Sequence, residues 1–216
     1  MLHTYELQRD EAPQCITAVT FAGDPTNYIA VGTADTVSDD VPAKGRILIL
    51  EISETNQLKL AAEMEVQGGV MAIKELQGKL LCGINERLCL YAWKTRENQA
   101  SESNLILECS HRGFVLVLSL AIHGEFIIAG DLIRSMTLLR YTNGKIAEIA
   151  RDAWPDMLTA LEAIDDETFI AADNASSIFT LVKNTETTSE DEAKRLQWSG
   201  GWHLGDQINR FKHGKS

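Results

Sequence analysis

Basic charge is in short supply. The 216 residues carry 31 Asp and Glu against 20 Lys and Arg, a formal net charge of −11, and a surface that neutralises phosphates needs the opposite sign. A basic-arm DNA binder is disfavoured. With neither basic patches nor aromatic wedges in the sequence, direct reading of a nucleic acid is weaker still. Cysteine is scarce too: none of Cys15, Cys82, Cys89 and Cys109 stands in the C-x-x-C spacing that clamps zinc. Cys82 and Cys89 lie in apolar runs, where a free thiol packs as a small hydrophobe, so buried free cysteines are expected. No apolar run approaches the length of a membrane span, and the polar start from Met1 to Glu6 has no apolar stretch of a signal peptide behind it. No membrane association is expected. A reducing, intracellular setting fits, in which the Asn174-Ala-Ser176 sequon stays unglycosylated.

Catalytic constellations are missing as well. The chain has no G-x-G-x-x-G, no G-x-S-x-G and no H-E-x-x-H. Gly214, Lys215 and Ser216 resemble the end of a phosphate loop, but Asn209 stands where that motif wants its first glycine, and no helix follows. The histidines, His3, His111, His123, His203 and His213, are scattered, and one Cys-x-His pair, Cys109 and His111, is no metal site. Asp165 and Asp166 stand where a strand-to-strand turn is needed, a common place for Asp. The expectation is a protein that is not an enzyme, with no catalytic residue, no metal and no cofactor.

What the chain does have is repetition. An apolar strand reaches a small residue, then a polar turn, then a second apolar run: Ile127 to Arg134 before Met136 to Tyr141, with parallel copies at Tyr28 to Thr33, Leu80 to Ile84 and Phe169 to Asp173. Taken in order, strands are expected at 15–21, 28–33, 46–52 and 58–66, with His3 to Leu7 as a weak opening edge strand. A second set is expected at 70–76, 79–84, 87–93 and 105–109, a third at 115–122, 126–130, 136–142 and 145–150, and a fourth at 158–164, 169–173, 177–182 and 202–209. The segments Asp35 to Lys44, containing Asp39 and Asp40, and Lys94 to Asn104 read as loops. Asn143-Gly144 between two alternating runs is the strongest hairpin signal, since a type I′ turn needs positive φ at both central residues.

The small residues Gly32, Gly83, Gly130 and Ala172 are separated by 51, 47 and 42 residues. Four strands per unit at this spacing predicts an all-β, WD-repeat-like β-propeller array, with blades at about 10–66, 67–109, 110–152 and 153–209. Each small residue would face the crowded axis or the next blade, where a larger side chain would clash. A two-sheet sandwich is the alternative. One short helix is expected over 188–197, with a capping-box spacing at Ser189 and Glu192, acids first and bases last; it reads as a solvated connection or a docking element. Arg134 and Arg151 stand at strand ends of the third unit. They serve either surface recognition or local ion pairs, Arg134 with Asp131 and Arg151 with Asp152.

Tyr28 to Ala34, Lys44 to Ile47, Gly130 to Ser135, Glu148 to Asp152, Ala172 to Ala175 and His203 to Asn209 together resemble the family of the UV-damaged DNA-binding protein large subunit, in one collinear order over almost the whole chain. Its superfamily includes the large subunit of the cleavage and polyadenylation specificity factor and a splicing factor 3b subunit. The stretch Ala172 to Ala175 looks closer to the damage-binding branch. The resemblance implies a fragment: about four blades of the third of three seven-bladed propellers, and a tail, 210–216, that leads toward a helical domain. It also implies an open arc with unpaired edges and poor solubility of the isolated chain.

The function so implied is that of a nuclear and cytoplasmic adaptor of a cullin-RING ubiquitin ligase acting in DNA damage recognition and repair. Its first and third propellers grip a helix of a substrate receptor, and it meets nucleic acid only indirectly, through a complex. The third-propeller wall of that cleft would include Leu118, Arg134, Arg151, Asn174 and Asn209, apolar anchors with arginines for polar orientation. The partners are then receptor helices and the remaining propellers. Ser119 replaces a family tyrosine, Met157 a tryptophan and Gln207 an aromatic, so fewer aromatic anchors line the wall. The alternative is a subunit of the RNA 3′-end processing or splicing machinery.

Overall fold

The computed structural model describes residues 4–37, 41–53, 55–94 and 104–214. His3, Asp39, Asp40, Lys215, Ser216 and most of the predicted 94–104 loop lie outside them. The chain divides into two compact units, Met1–Arg112 and Gly113–Ser216.

The first unit holds two four-stranded antiparallel sheets, each in simple sequence order: β1 (Glu11–Thr20), β2 (Asn27–Asp35), β3 (Lys44–Ile52) and β4 (Leu58–Gln67), then β5 (Val70–Leu76), β6 (Lys79–Ile84), β7 (Arg87–Trp93) and β8 (Leu105–Arg112). Alternation along each strand sends one set of side chains into the space between sheets. There Val19, Ile47, Ile49, Val70, Leu80, Cys82 and Cys89 form one core. Gly32 sits where the second sheet comes closest: a Cβ there would lie 2.6 Å from Cys15 Sγ and from a Val70 methyl. The small residue of the repeat is thus demanded by the neighbouring sheet. All four cysteines are free thiols, with Cys82 and Cys89 buried; burial pushes both thiols up, Cys82 well above its ordinary range.

The second unit repeats the plan with β9 (Val117–His123), β10 (Phe126–Asp131), β11 (Met136–Thr142) and β12 (Lys145–Asp152), then β13 (Leu158–Ala163), β14 (Thr168–Asp173), β15 (Ser177–Lys183), the short helix α1 (Glu190–Ala193) and β16 (Arg195–His203). The outer strands β12 and β16 also pair in parallel, through Arg151 with Arg195 and Asp152 with Leu196. Ile128, Met136, Leu138, Leu158, Phe169, Phe179 and Leu181 form the core. Here Gly130 makes the close approach, since a Cβ would lie 2.7 Å from a Leu161 methyl and also strike Ser119 Oγ. Asn143 and Gly144 have φ of 52° and 75°, as the hairpin between β11 and β12 requires. Asp165 Oδ1 accepts the N–H groups of Glu167 and Thr168 and closes its turn.

The architecture is all-β, in four-stranded antiparallel sheets of propeller-blade order with one short helix, and the sandwich is set aside. Several boundaries differ from expectation. Thr4 to Leu7 is not a strand, and β1 begins at Glu11, whose carboxylate is held by Arg46 on β3. The helix keeps only Glu190–Ala193, because Leu196 is buried in the core and the segment from Arg195 pairs as β16. The capping box does not form: Ser189 makes no side-chain cap bond, and Thr187 Oγ1 donates to Glu192 Oε2 instead (2.6 Å). The last strand therefore ends at His203, not Asn209. Leu204 and Gly205 turn back to Ser176, both donating backbone N–H groups to its carbonyl, with Gly205 at φ 82°.

Candidate protein-docking face

Antiparallel order puts the start of β9, the end of β10, the start of β11 and the end of β12 at one end of their sheet. Leu118 is half-buried in the first turn of side chains on β9, Arg134 is exposed in the β10–β11 turn, and Arg151 is the penultimate residue of β12. In the next sheet, exposed Asn174 occupies the equivalent β14–β15 turn, and its N–H donates to the Met157 carbonyl (3.1 Å). The tail after β16 returns to the same end, where Thr159 Oγ1 donates to the Ile208 carbonyl (2.7 Å), beside exposed Asn209. The five predicted residues come from five separate segments and all sit at this end of the second unit.

Buried aspartates fix the turns. Asp131 is fully buried, and its carboxylate accepts three backbone N–H groups: Val115 at 2.6 Å, Ile133 at 2.8 Å and Arg134 at 2.9 Å. Asp152, also buried, accepts the Ser135 hydroxyl at 2.7 Å and the Trp154 N–H at 3.1 Å. Ser135 itself is buried at φ 56°, a left-handed conformation uncommon for a residue with a Cβ. The linker from Asp152 to Leu158 is tied down further, because Ser135 donates its N–H to the Asp156 carbonyl and Asp156 donates to Ile133 (3.0 and 2.9 Å). Burial pushes the Asp156 carboxyl above the ordinary carboxylate range, and the charges of Asp173 and Asp152 add to that.

These bonds correct the proposed ion pairs. The Asp131 carboxylate is committed to backbone donors, and the Arg134 guanidinium donates to the Gly113 carbonyl instead (2.7 Å). Arg151 is chelated by Glu148, Nε to Oε1 at 2.8 Å and Nη2 to Oε2 at 2.5 Å, which raises its pKa further. Asp152 is its chain neighbour, not its partner. The Arg151 backbone N–H donates to the Lys194 carbonyl at the end of α1, so that helix braces the strand end (3.0 Å).

Three exposed apolar residues, missed by the sequence reading, stand on the segments that Asp131 and Asp152 pin: Val115 at 38%, Ile133 at 52% and Trp154 at 75% exposure. Each has its backbone N–H held by Asp131 or Asp152, so each is presented on a fixed backbone. The recurrence of Asp at the end of the second strand, at Asp35, Asp131 and Asp173, was the signal that could have found them. Met157 is half-buried, Gln207 is exposed, and the buried Ser119 hydroxyl has no hydrogen-bond partner. Among the described residues no group of three His, Cys, Asp or Glu side chains is arranged to hold a metal ion. None of the helices there is long and apolar enough to cross a membrane.

The family model described as the CPSF A subunit region matches residues 1–216. DNA damage-binding protein 1 of Solanum lycopersicum is 38% identical over 216 residues, covering 99% of this chain and 20% of its own length. The same figures hold for DNA damage-binding protein 1 of Oryza sativa subsp. japonica and DNA damage-binding protein 1a of Arabidopsis thaliana. The chain spans about a fifth of the length of these curated relatives. Matched from end to end, and built from the repeated four-strand sheets that its small-residue spacing demands, the chain belongs to the CPSF A subunit region family.

Proposed function

We propose that this chain supplies a partner-binding face to a non-enzymatic adaptor, and that its partner is the helix of a substrate receptor in a cullin-RING ubiquitin ligase acting in DNA damage recognition and repair. The carrying observation is the convergence at one end of the second unit. Leu118, Arg134, Arg151, Asn174 and Asn209 lie on strand ends and turns at that end, with Val115, Ile133 and Trp154 held on backbone pinned by buried carboxylates. Such a face suits an amphipathic helix: apolar anchors desolvate against Trp154 and Ile133 while an acidic group meets Arg134. Little ordering entropy is lost when it is covered. Trp154 offers an aromatic anchor on the linker that also carries Met157. In the longer protein the chain would form part of the third propeller, with blades at about 10–66, 67–109, 110–152 and 153–209, and 210–216 would lead to a helical domain. The adaptor would act in the nucleus and the cytoplasm and reach nucleic acid only through its complex.

The name of the matching family favours a second reading, a subunit of the RNA 3′-end processing or splicing machinery; the names of the relatives favour the first. Replacing Arg134 with Glu in the complete protein, then recovering its complexes, separates them. Loss of receptor capture with folding intact supports the adaptor. Capture at the parental level rejects this face, and recovery of only polyadenylation or splicing subunits moves the assignment to the second reading.

A further inference from the structure

Outer strands of these sheets have one edge that no neighbouring strand covers along its whole length, and an uncovered edge invites unwanted pairing unless charge or proline guards it. Three of the four are guarded: β4 carries Lys59, Glu63 and Glu65, β8 carries Glu108 and Arg112, and β12 carries Lys145, Glu148 and Arg151. The fourth is not. β16 pairs with β15 from Leu196 to His203, but on its other side, among the described residues, only Arg195 and Leu196 are paired, with β12. From Gln197 to His203 it reads Gln-Trp-Ser-Gly-Gly-Trp-His, without Lys, Arg, Asp, Glu or Pro.

The edge is furnished as well as unguarded. A bulge opposite Thr180 and Leu181 reverses the alternation, so Trp198 and Trp202 lie on opposite faces of the strand. Trp198 is stacked on Phe179, with ring centroids 5.1 Å apart and planes 16° from parallel, and it covers Gly201, where a Cβ would collide with the indole. It is nevertheless 60% exposed, and Trp202 is 74% exposed. Gly200 and Gly201 present no side chain between them, so a second backbone can come close. Just before the strand, α1 sets Glu190, Asp191 and Glu192 in its first turn, with Lys194 and Arg195 following them ahead of the uncharged stretch.

We propose that the free edge of β16 from Gln197 to His203 accepts an extended segment of a partner protein as an added strand, with an aromatic or β-branched side chain against Trp198 and a basic residue toward α1. Backbone hydrogen bonds to the open edge supply affinity, and the two tryptophans, one on each face, supply register and selectivity. A helix cannot satisfy a row of strand N–H and C=O groups, which excludes that class of ligand. A second copy is disfavoured because each chain carries a formal net charge of −11 and the same acidic helix beside the edge. The inference does not rest on the docking face around Arg134.

The test pans a phage-displayed library of random linear peptides against the whole chain and measures the enriched peptides by titration and hydrogen exchange. Enriched sequences should alternate aromatic or β-branched residues, carry a basic residue at one end, and protect the amides of Gln197 to His203. Trp198→Lys and, separately, Ser199→Lys should weaken them about tenfold or more, the scale of losing one anchor and charging the edge. Lys59→Gln on β4 should leave binding unchanged. Four results overturn the proposal: no enrichment, enrichment of helix-forming peptides, binding that survives both lysine variants, or self-association abolished by Trp198→Lys. The last would assign the edge to a second copy.

Discussion

Asp131, the buried last residue of β10, should be a costly residue to replace, because it holds the turn that follows. Its carboxylate satisfies three backbone donors in a fully buried position. In Asp131→Asn one carbonyl oxygen still serves Ile133 and Arg134, but the amide nitrogen then faces the Val115 N–H, donor against donor. One charge-assisted bond is lost and one buried N–H orphaned, a cost of about 2 kcal/mol. In Asp131→Ala all three donors are orphaned, and the penalty rises to about 4 kcal/mol, less than a simple sum because a carboxylate no longer has to be desolvated. With a urea slope of about 2 kcal/mol/M, the midpoints should move by about 1 M and 2 M. Trp154, Trp198 and Trp202 report on the second unit, so a Trp93→Phe background makes fluorescence specific to it. An Asp131→Ala midpoint within about 0.25 M of the parent, or equal losses for Asn and Ala, would refute the assigned bonds.

Other consequences are as direct. Although burial pushes the Glu11 carboxyl up, the Arg46 guanidinium, the Thr33 hydroxyl and the Gln8 N–H hold it down at about 2. Its contribution to the first unit is therefore present above the unfolded carboxylate range and is lost as pH falls from about 4.5 toward 2; Glu11→Gln should flatten acid unfolding monitored at Trp93. Gly130→Val should destabilise the second unit by about 3 kcal/mol, since Leu161 and Ser119 leave no room, while Gly124→Ala, in open space but at φ 60°, should cost only about 1 kcal/mol. Ser135→Ala removes the bond to Asp152 and should lower stability by about 1 to 2 kcal/mol while speeding exchange of the Arg134 amide.

The fold was legible because its rules are local and recur. Gly32 and Gly130 announced the crowded approach of the next sheet, Asn143 and Gly144 the hairpin, and Asp165 a turn, each from its own few residues. What stayed hidden depends on partners far along the chain. Asp131 bonds back to Val115, Asp152 bonds to Ser135, and the Lys194 carbonyl holds Arg151. Adjacency in sequence therefore suggested Arg134 with Asp131 and Arg151 with Asp152, whereas the carboxylates point inward to backbone and hydroxyl donors and the guanidinia are served elsewhere. The helix was overextended for a related reason. Its charge order favoured a longer segment, but burying Leu196 and pairing β16 outweigh the few tenths of a kcal/mol that exposed helix charges contribute. Trp154, three quarters exposed two residues after buried Asp152, shows how an exposed aromatic escapes pattern reading, since nothing in the linker's composition says which way it faces.

The central claim is that the end of the second unit carrying Arg134 binds a helix. Titrating a fluorescent receptor-helix peptide into the complete protein, with parent, Arg134→Glu and Trp154→Ala compared at equal folding, tests it most directly. The account predicts affinity losses of about tenfold or more for each variant, weakening with salt for the parent but not for Arg134→Glu. Parental affinity in both variants would contradict it.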